Sequence, residues 1–285
     1  MNIEIGYEYP HSQWSVFHVF KGLHEILTSG NPSVNFNYLN FGTCDNRCAQ
    51  NIYSPHVMTI KNKDNGKYFI ISYWDNIEDF NHISNGWDPD RCVNIFTSSG
   101  VHSDNSKVVP LSYLPYNIIT EEFSKLSKPF DEKSNCELFF RGYLYGIRKE
   151  IYDIGKILLT DSKISITDYL HELDENEISL SLNGAGEICN RDIEILSMRS
   201  VLLRPKLSQK FHNELIDGEH YISFELDNDP NIQSKIILDK FNEIKNDKKL
   251  LKKVSDNGYE WYCNNGTIKS NIDILTNIIN ITLLN

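Results

Sequence analysis

The chain has 285 residues, enough for one large domain or two ordinary ones, and its 40% hydrophobic and 24% charged residues belong to a folded chain rather than a disordered one. Asp and Glu outnumber Lys and Arg by 39 to 28, giving a net charge of −11, which argues against sequence-independent binding to nucleic-acid phosphates. No apolar run is long enough to span a membrane, and Met1 to Ile5 carry neither the basic nor the apolar region of a secretory signal.

The six cysteines are too dilute for a disulfide framework. Cys44 and Cys48 form the one close pair, and no second pair or spaced His pair completes a zinc site. Reduced cysteines are therefore expected, with a cytoplasmic location in a bacterium or in the host-cell cytosol of a virus.

In chain order, alternation over Asn2 to Tyr7 predicts a strand, broken at Tyr9-Pro10. Trp14, Phe17, His18, Lys21, Leu23 and Ile26 follow helical spacing up to Gly30. Val34 to Phe41 reads as a strand. His56 to Ile60 and Tyr68 to Tyr73 flank Asp64-Asn65-Gly66, a hairpin turn. Cys92 to Ser98 and Val108 to Leu114 are further short strands. The polar stretch Glu121 to Ser134 reads as a linker. The expected division is residues 1–128, then 134–268, with 269–285 a terminal helix that packs back on the first domain.

Beyond the linker, Cys136 to Phe140 is a short apolar strand that runs into Arg141-Gly142 and a helix to Leu158. A short helix over Ser165 to Leu173 precedes a strand of the buried type, Glu177 to Leu182. Asn183-Gly184-Ala185-Gly186 is a tight turn, and Ile193, Leu196 and Met198 mark the helix after it. Ser200 to Leu203, ended by Pro205, and His220 to Phe224 are strands. Asn231 to Val254 reads as two helices and Asn271 to Leu284 as the last. Strands alternating with helices predict a parallel sheet covered by helices.

Two strand-to-helix turns carry the chemistry. In such units ligands sit beyond the carboxyl ends of the strands. Gly184 and Gly186 allow backbone to approach a ligand closely, and the helix N-terminus after them favours an anion. Arg191 is placed to neutralise a diphosphate and Glu194 to hold a sugar or ribose hydroxyl. The other turn brings Arg141 and Arg148 to the same edge of the sheet, with Gly142 permitting an unusual backbone turn.

Asn183-Gly184-Ala185-Gly186-Glu187 after an apolar strand is also similar to the first motif of S-adenosylmethionine-dependent methyltransferases. That motif needs an acidic residue at the end of the next strand, which here ends in Arg204-Pro205.

Several segments together resemble the CAP10/protein O-glucosyltransferase type of glycosyltransferase, and more loosely the exostosin-like enzymes, over residues 136 to 262. They are Phe140-Arg141-Gly142 with Tyr145-Gly146-Ile147-Arg148, the Asn183-Gly184-Ala185-Gly186 turn with Arg191, Ser200 to Pro205, and Glu219-His220-Tyr221-Ile222. The resemblance implies an α/β chain of GT-B type, two Rossmann-like domains facing a central cleft. It implies a nucleotide-sugar donor, usually UDP-linked, with xylose or glucose as the sugar, and metal-independent, inverting transfer to a carbohydrate or glycan hydroxyl. The donor is a co-substrate, so no cofactor is expected. Arg141 and Arg148 match the phosphate-side arginines, Gly184 the glycine of the turn and Arg191 the arginine near the diphosphate. His220 and Tyr221 fall in the region that runs past base and ribose.

Asp88-Pro89-Asp90 fits a metal-binding string but reads as a turn, so no metal is expected. An inverting transfer needs a base for the acceptor hydroxyl. Asp75 is the first candidate, beside Trp74, which could stack on a sugar; His11 and His102 are the others. The alternatives to sugar transfer are the methyltransferase and a non-catalytic nucleotide- or carbohydrate-binding protein.

Overall fold

The computed structural model describes residues 3–7, 15–29, 57–62, 64–73, 92–97, 108–111, 113–115, 117–155, 157, 159–160, 164–184, 186–209 and 211–284. Two sheets organise them. The first has the order β1-β2-β3-β4-β5, with β1 at Ile3–Tyr7, β2 at Val57–Asn62, β3 at Tyr68–Ser72, β4 at Cys92–Thr97 and β5 at Val108–Pro110.

β1, β2 and β3 are antiparallel neighbours, whereas β4 and β5 run parallel to β3. The β2–β3 hairpin forms where Asp64-Asn65-Gly66 predicts it. Gly66 takes a φ of 73°, a conformation that costs a residue with a Cβ, and its N–H donates to the Asn62 carbonyl at 2.8 Å. β5 is shorter than predicted and stops at Pro110, which has no N–H for the ladder. The predicted strand over Val34 to Phe41 lies outside the described residues.

Helix α1 (Ser15–Ser29) covers this sheet with Val16, Val19, Phe20 and Leu23 packed on Ile60, Phe69 and Ile71. The last helix, labelled α8 below (Ile268–Leu284), packs on the same cluster through Leu275 and Ile272. Gly22 allows that approach: a Cβ there would stand 2.5 Å from Ile272 Cδ1. The buried Tyr73 hydroxyl, just past β3, donates to Asn271 Oδ1 at 2.8 Å.

The second sheet is fully parallel, in the order β6-β7-β8-β9: Asn135–Phe139, Asn176–Leu180, Val201–Pro205 and Ile222–Phe224. β7 and β8 are buried along their whole length, as in a parallel sheet covered on both faces; β8 shows it as a continuous apolar run, whereas β7 and the two residues after it alternate Ile178, Leu180 and Leu182 with buried serines. The chain is thus α/β with a parallel sheet, as the alternation of elements predicts.

The polar stretch 121–134 is not strung out as a linker. It contains α2 (Ile119–Ser124) and a 3-10 turn (Phe130–Glu132) whose Phe130 enters the core. Buried Lys133 then donates to the carbonyls of Asp174 at 2.7 Å and Met198 at 2.8 Å, near the C-terminal ends of two helices. Polar side chains disguise this packing, because their charges meet helix ends rather than water.

The remaining helices are α3 (Ile147–Ile154), α4 (Ile166–Glu175), α5 (Asn190–Ser197), α6 (Pro230–Ile244) and α7 (Lys248–Trp261). Ile151 of α3 and Ile237 and Phe241 of α6 pack on the face that carries Ile178, Leu180, Val201 and Leu203. Leu170 and Leu173 of α4 and Ile193 and Leu196 of α5 pack on the opposite face, with Leu202. The first helix after β6, α3, and the helix after β7, α5, therefore lie on opposite faces of the sheet. In open α/β sheets such a divergence is where ligands sit, beyond the carboxyl ends of the strands. Among the described residues no helix is long and apolar enough to cross a membrane.

Candidate functional site

The two turns that sequence patterns single out lie side by side. Past β6 the chain turns through Gly142 to Gly146 and enters α3. Past β7 it turns through Asn183, Gly184 and Gly186 and enters α5. Each helix carries an arginine in its first turn.

Arg191, on α5, reaches across to the other turn. Its Nε donates to the Arg141 carbonyl at 3.1 Å, and its guanidinium lies 4.4 Å from the centre of the Phe140 ring. Gly142 makes the room: a Cβ there would stand 1.5 Å from Arg191 Nη2. The Gly142 that sequence reasoning assigns to a backbone turn thus also vacates space for a side chain. Arg191 Nη1 is buried without a hydrogen-bond partner. Burial works against its charge, but Tyr169, Cys189, Glu194 and Asp192 outweigh that and raise its pKa.

Arg148, on α3, is 4% exposed and reaches in the opposite direction, donating through Nη2 to the Leu182 carbonyl at the end of β7. Its Nε is buried and unpartnered. Burial lowers its pKa, and the positive charge of Arg191 lowers it further. Arg191 thus disfavours the charge of Arg148, and each guanidinium keeps a buried N–H without a partner; groups of this chemistry suit the oxygens of an anion.

Arg141 has a different place. Its guanidinium forks onto Glu172 of α4, Nε to Oε2 at 2.5 Å and Nη2 to Oε1 at 2.8 Å. What it offers the site is its carbonyl, which orients Arg191.

The β7 turn is braced from beneath by Arg204, a residue that sequence reasoning treats only as the end of a strand. Arg204 is 1% exposed. Its Nη2 donates to the Glu187 carbonyl at 2.7 Å and to Asn183 Oδ1 at 3.4 Å, so Asn183 holds the turn rather than facing a ligand with that oxygen. Arg204 Nη1 lies 3.1 Å from Asp192 Oδ2, a charge contact without hydrogen-bond alignment. Asp192 in turn accepts from the Cys189 N–H at 2.6 Å, closing the N-terminus of α5. The signal in the sequence was an arginine inside an apolar strand, a residue type that is almost never buried unless paired.

Glu194 lies one turn beyond Arg191 on α5 and is buried. Burial pushes its carboxyl up to about 7, against the opposing pull of Arg191 and of the Tyr169 hydroxyl.

His220 and Tyr221 serve the β8–β9 connection. His220 Nδ1 accepts from the Ile216 N–H at 2.9 Å, and the Tyr221 hydroxyl accepts from the Leu207 N–H at 3.3 Å, with its ring in the core. Burial lowers the pKa of the first and raises that of the second. Asp75, His11, His102 and the Asp88-Pro89-Asp90 turn lie outside the described residues, as do Cys44 and Cys48. Among the described residues no group of His, Cys, Asp and Glu could hold a metal ion.

No protein-family model matches the chain, and no curated protein matches it in sequence. Among solved structures it is similar to an alpha-glucosyltransferase in complex with UDP and a 13-mer DNA containing a central A:G mismatch, at 11% identity and a TM-score of 0.48 over 98% of this chain and 100% of that one. It is similar to an alpha-glucosyltransferase in complex with UDP-glucose and DNA containing an abasic site, at 9% identity and a TM-score of 0.47 over 98% and 100%. A variant of S. aureus TarM in complex with fondaparinux, alpha-GlcNAc-glycerol and UDP aligns at 10% identity and a TM-score of 0.40 over 80% of this chain and 65% of that one. Likenesses of this size assign no residue role and no substrate; the α/β reading rests on the strand order itself.

Proposed function

We propose that the chain is a glycosyltransferase of GT-B type, related to the CAP10/protein O-glucosyltransferases, that takes a UDP-linked sugar as donor and a carbohydrate hydroxyl as acceptor. The observation that carries this reading is the pair Arg148 and Arg191. Both reach into the gap between the β6 and β7 turns, and each has a buried, unpartnered N–H. A diphosphate would satisfy both and relieve the repulsion that Arg148 feels from Arg191. In metal-independent transfer the leaving group is that diphosphate, and preorganised donors stabilise its developing charge. Arg148 and Arg191 hold it, Gly184 and Gly186 admit it to the backbone, and Glu194 takes a donor hydroxyl. Arg141 acts through its carbonyl on Arg191. Residues 1–128 form the acceptor side, and Asp75, with His11 and His102 as the other candidates, supplies the base for an inverting reaction on xylose or glucose.

The methyltransferase reading is disfavoured by Arg204. At the end of β8, where an acidic residue would have to clamp a ribose, stands an arginine whose guanidinium is buried under the turn.

The test is thermal unfolding with UDP, GDP, CMP or S-adenosylmethionine, each with and without EDTA. A ligand at about 100 times its Kd stabilises by about 2.7 kcal/mol. UDP should do so with or without EDTA, and Arg191→Ala should weaken UDP binding about ten- to hundred-fold, the worth of a hydrogen bond to a charged group. Stabilisation by S-adenosylmethionine alone would overturn the proposal. Release of UDP from UDP-glucose or UDP-xylose then separates an enzyme from a binding protein.

Gly142→Ala gives an independent check. The added methyl must displace the Arg191 guanidinium, the end of a flexible side chain, so the fold should lose no more than about 1 kcal/mol. UDP affinity should nevertheless fall about as far as in Arg191→Ala. Calorimetric titration of the two variants side by side measures this, and wild-type affinity in Gly142→Ala would show that Arg191 does not meet the ligand from this position.

A further inference from the structure

Between Arg141 and Arg148 the β6 turn presents Tyr145, to which no role has been given above. Its ring lies against the Arg148 guanidinium, 4.8 Å from centroid to Cζ. Its hydroxyl reaches over to the other turn: a Cβ on Gly184 would stand 3.1 Å from the Tyr145 oxygen and 3.5 Å from Arg148 Nη2. Gly184 is therefore the floor on which the hydroxyl and the guanidinium converge. Tyr145 as a residue remains 47% exposed.

The backbone sets this direction. Gly146, directly after Tyr145, has φ 52° and ψ −138°, a region that residues with a Cβ avoid, and it is the N-cap of α3. The Tyr145 carbonyl accepts from the Arg148 N–H at 3.2 Å, which ties the two residues into one turn.

We infer that Tyr145 is a binding residue for the donor diphosphate, its hydroxyl donating to the same anion that Arg148 and Arg191 neutralise while its ring keeps the Arg148 guanidinium in place. The inference rests on the donor-site reading and adds a third, uncharged donor to it. A phenol suits this position: a third cation beside two arginines would add to the repulsion that Arg148 already feels, whereas an O–H supplies a hydrogen bond without charge. The ring face against the guanidinium adds a cation–π contact at no cost in net charge.

Titration of the full chain with inorganic pyrophosphate and with UDP tests this, using wild type, Tyr145→Phe, Tyr145→Leu and Arg191→Ala. Tyr145→Phe keeps the ring and removes only the hydroxyl. It should bind both probes about ten- to hundred-fold more weakly, with thermal unfolding in the absence of ligand unchanged. Tyr145→Leu, which also frees Arg148, should be weaker still. If wild type and Tyr145→Phe bind both probes equally while Arg191→Ala loses them, the donor site stands and the role of Tyr145 falls. A loss for UDP but not for pyrophosphate in Tyr145→Phe also overturns it, by placing the hydroxyl on the nucleoside. If wild type binds neither probe, both readings fall together.

Discussion

Replacing Arg204 by methionine should destabilise the fold by about 3–5 kcal/mol, the usual consequence of removing one partner from a buried ion pair. Arg204 and Asp192 are each 1% exposed, and the guanidinium also donates to Glu187 and Asn183 in the turn above. Methionine fills much of the same volume, so the cost comes from charge rather than from a cavity. Asp192 would be left in the core without its ion-pair partner, with the Cys189 N–H and the α5 N-terminus as its support.

The same reasoning sets the expected behaviour of the double variant. Arg204→Met with Asp192→Asn removes the stranded carboxyl while the amide oxygen can still accept from Cys189. It should therefore be more stable than Arg204→Met alone, although it carries one more substitution. Urea unfolding of the wild type, the two single variants and the double variant gives the coupling directly. Additive effects would mean that the pair is not coupled, and that Arg204 acts only through its bonds to the turn.

This arrangement also explains what could and could not be read from the amino-acid order. The β7–turn–α5–β8 unit was legible because each part has a strong local signature: Ile178, Leu180 and Leu182 at alternate positions, glycines, a helix start and an apolar run. The β2–β3 hairpin was legible for the same reason, since Asp64-Asn65-Gly66 specifies its turn chemistry. The direction of a long side chain has no such signature. Arg141 was expected at the phosphate because it ends a strand at the ligand edge, yet its guanidinium finds Glu172 on α4, 31 residues further on. Arg204 looked like a strand terminator because a paired charge inside a sheet is visible only once Asp192 is folded beside it. Tyr221 was placed near base and ribose by its position in the chain, and its ring lies in the core with its hydroxyl on Leu207. Local pattern fixes elements and their order; which polar atoms meet is decided by contacts distant in sequence.

Glu194 makes the second large effect, and its sign follows from burial. Its carboxyl rises from 4.5 to about 7, first because burial disfavours the charged form, with Asp192 adding to this and Arg191 and the Tyr169 hydroxyl opposing it. Below pH 4.5 the group is protonated in the folded and the unfolded chain, and it does not affect stability through titration. Between 4.5 and about 7 the unfolded chain loses the proton while the folded chain keeps it. Stability therefore falls as pH rises through that window, by about 3 kcal/mol in all, and stays reduced above it. Glu194→Gln cannot ionise and lacks this dependence. Relative to wild type, the glutamine variant should gain stability steadily from pH 4.5 to 7 and hold a constant advantage at pH 8. Urea unfolding of both proteins across that range measures the difference, in which every other titrating group cancels. A gap that does not change with pH would show that the Glu194 carboxyl titrates near its ordinary value, and that Arg191 neutralises it fully.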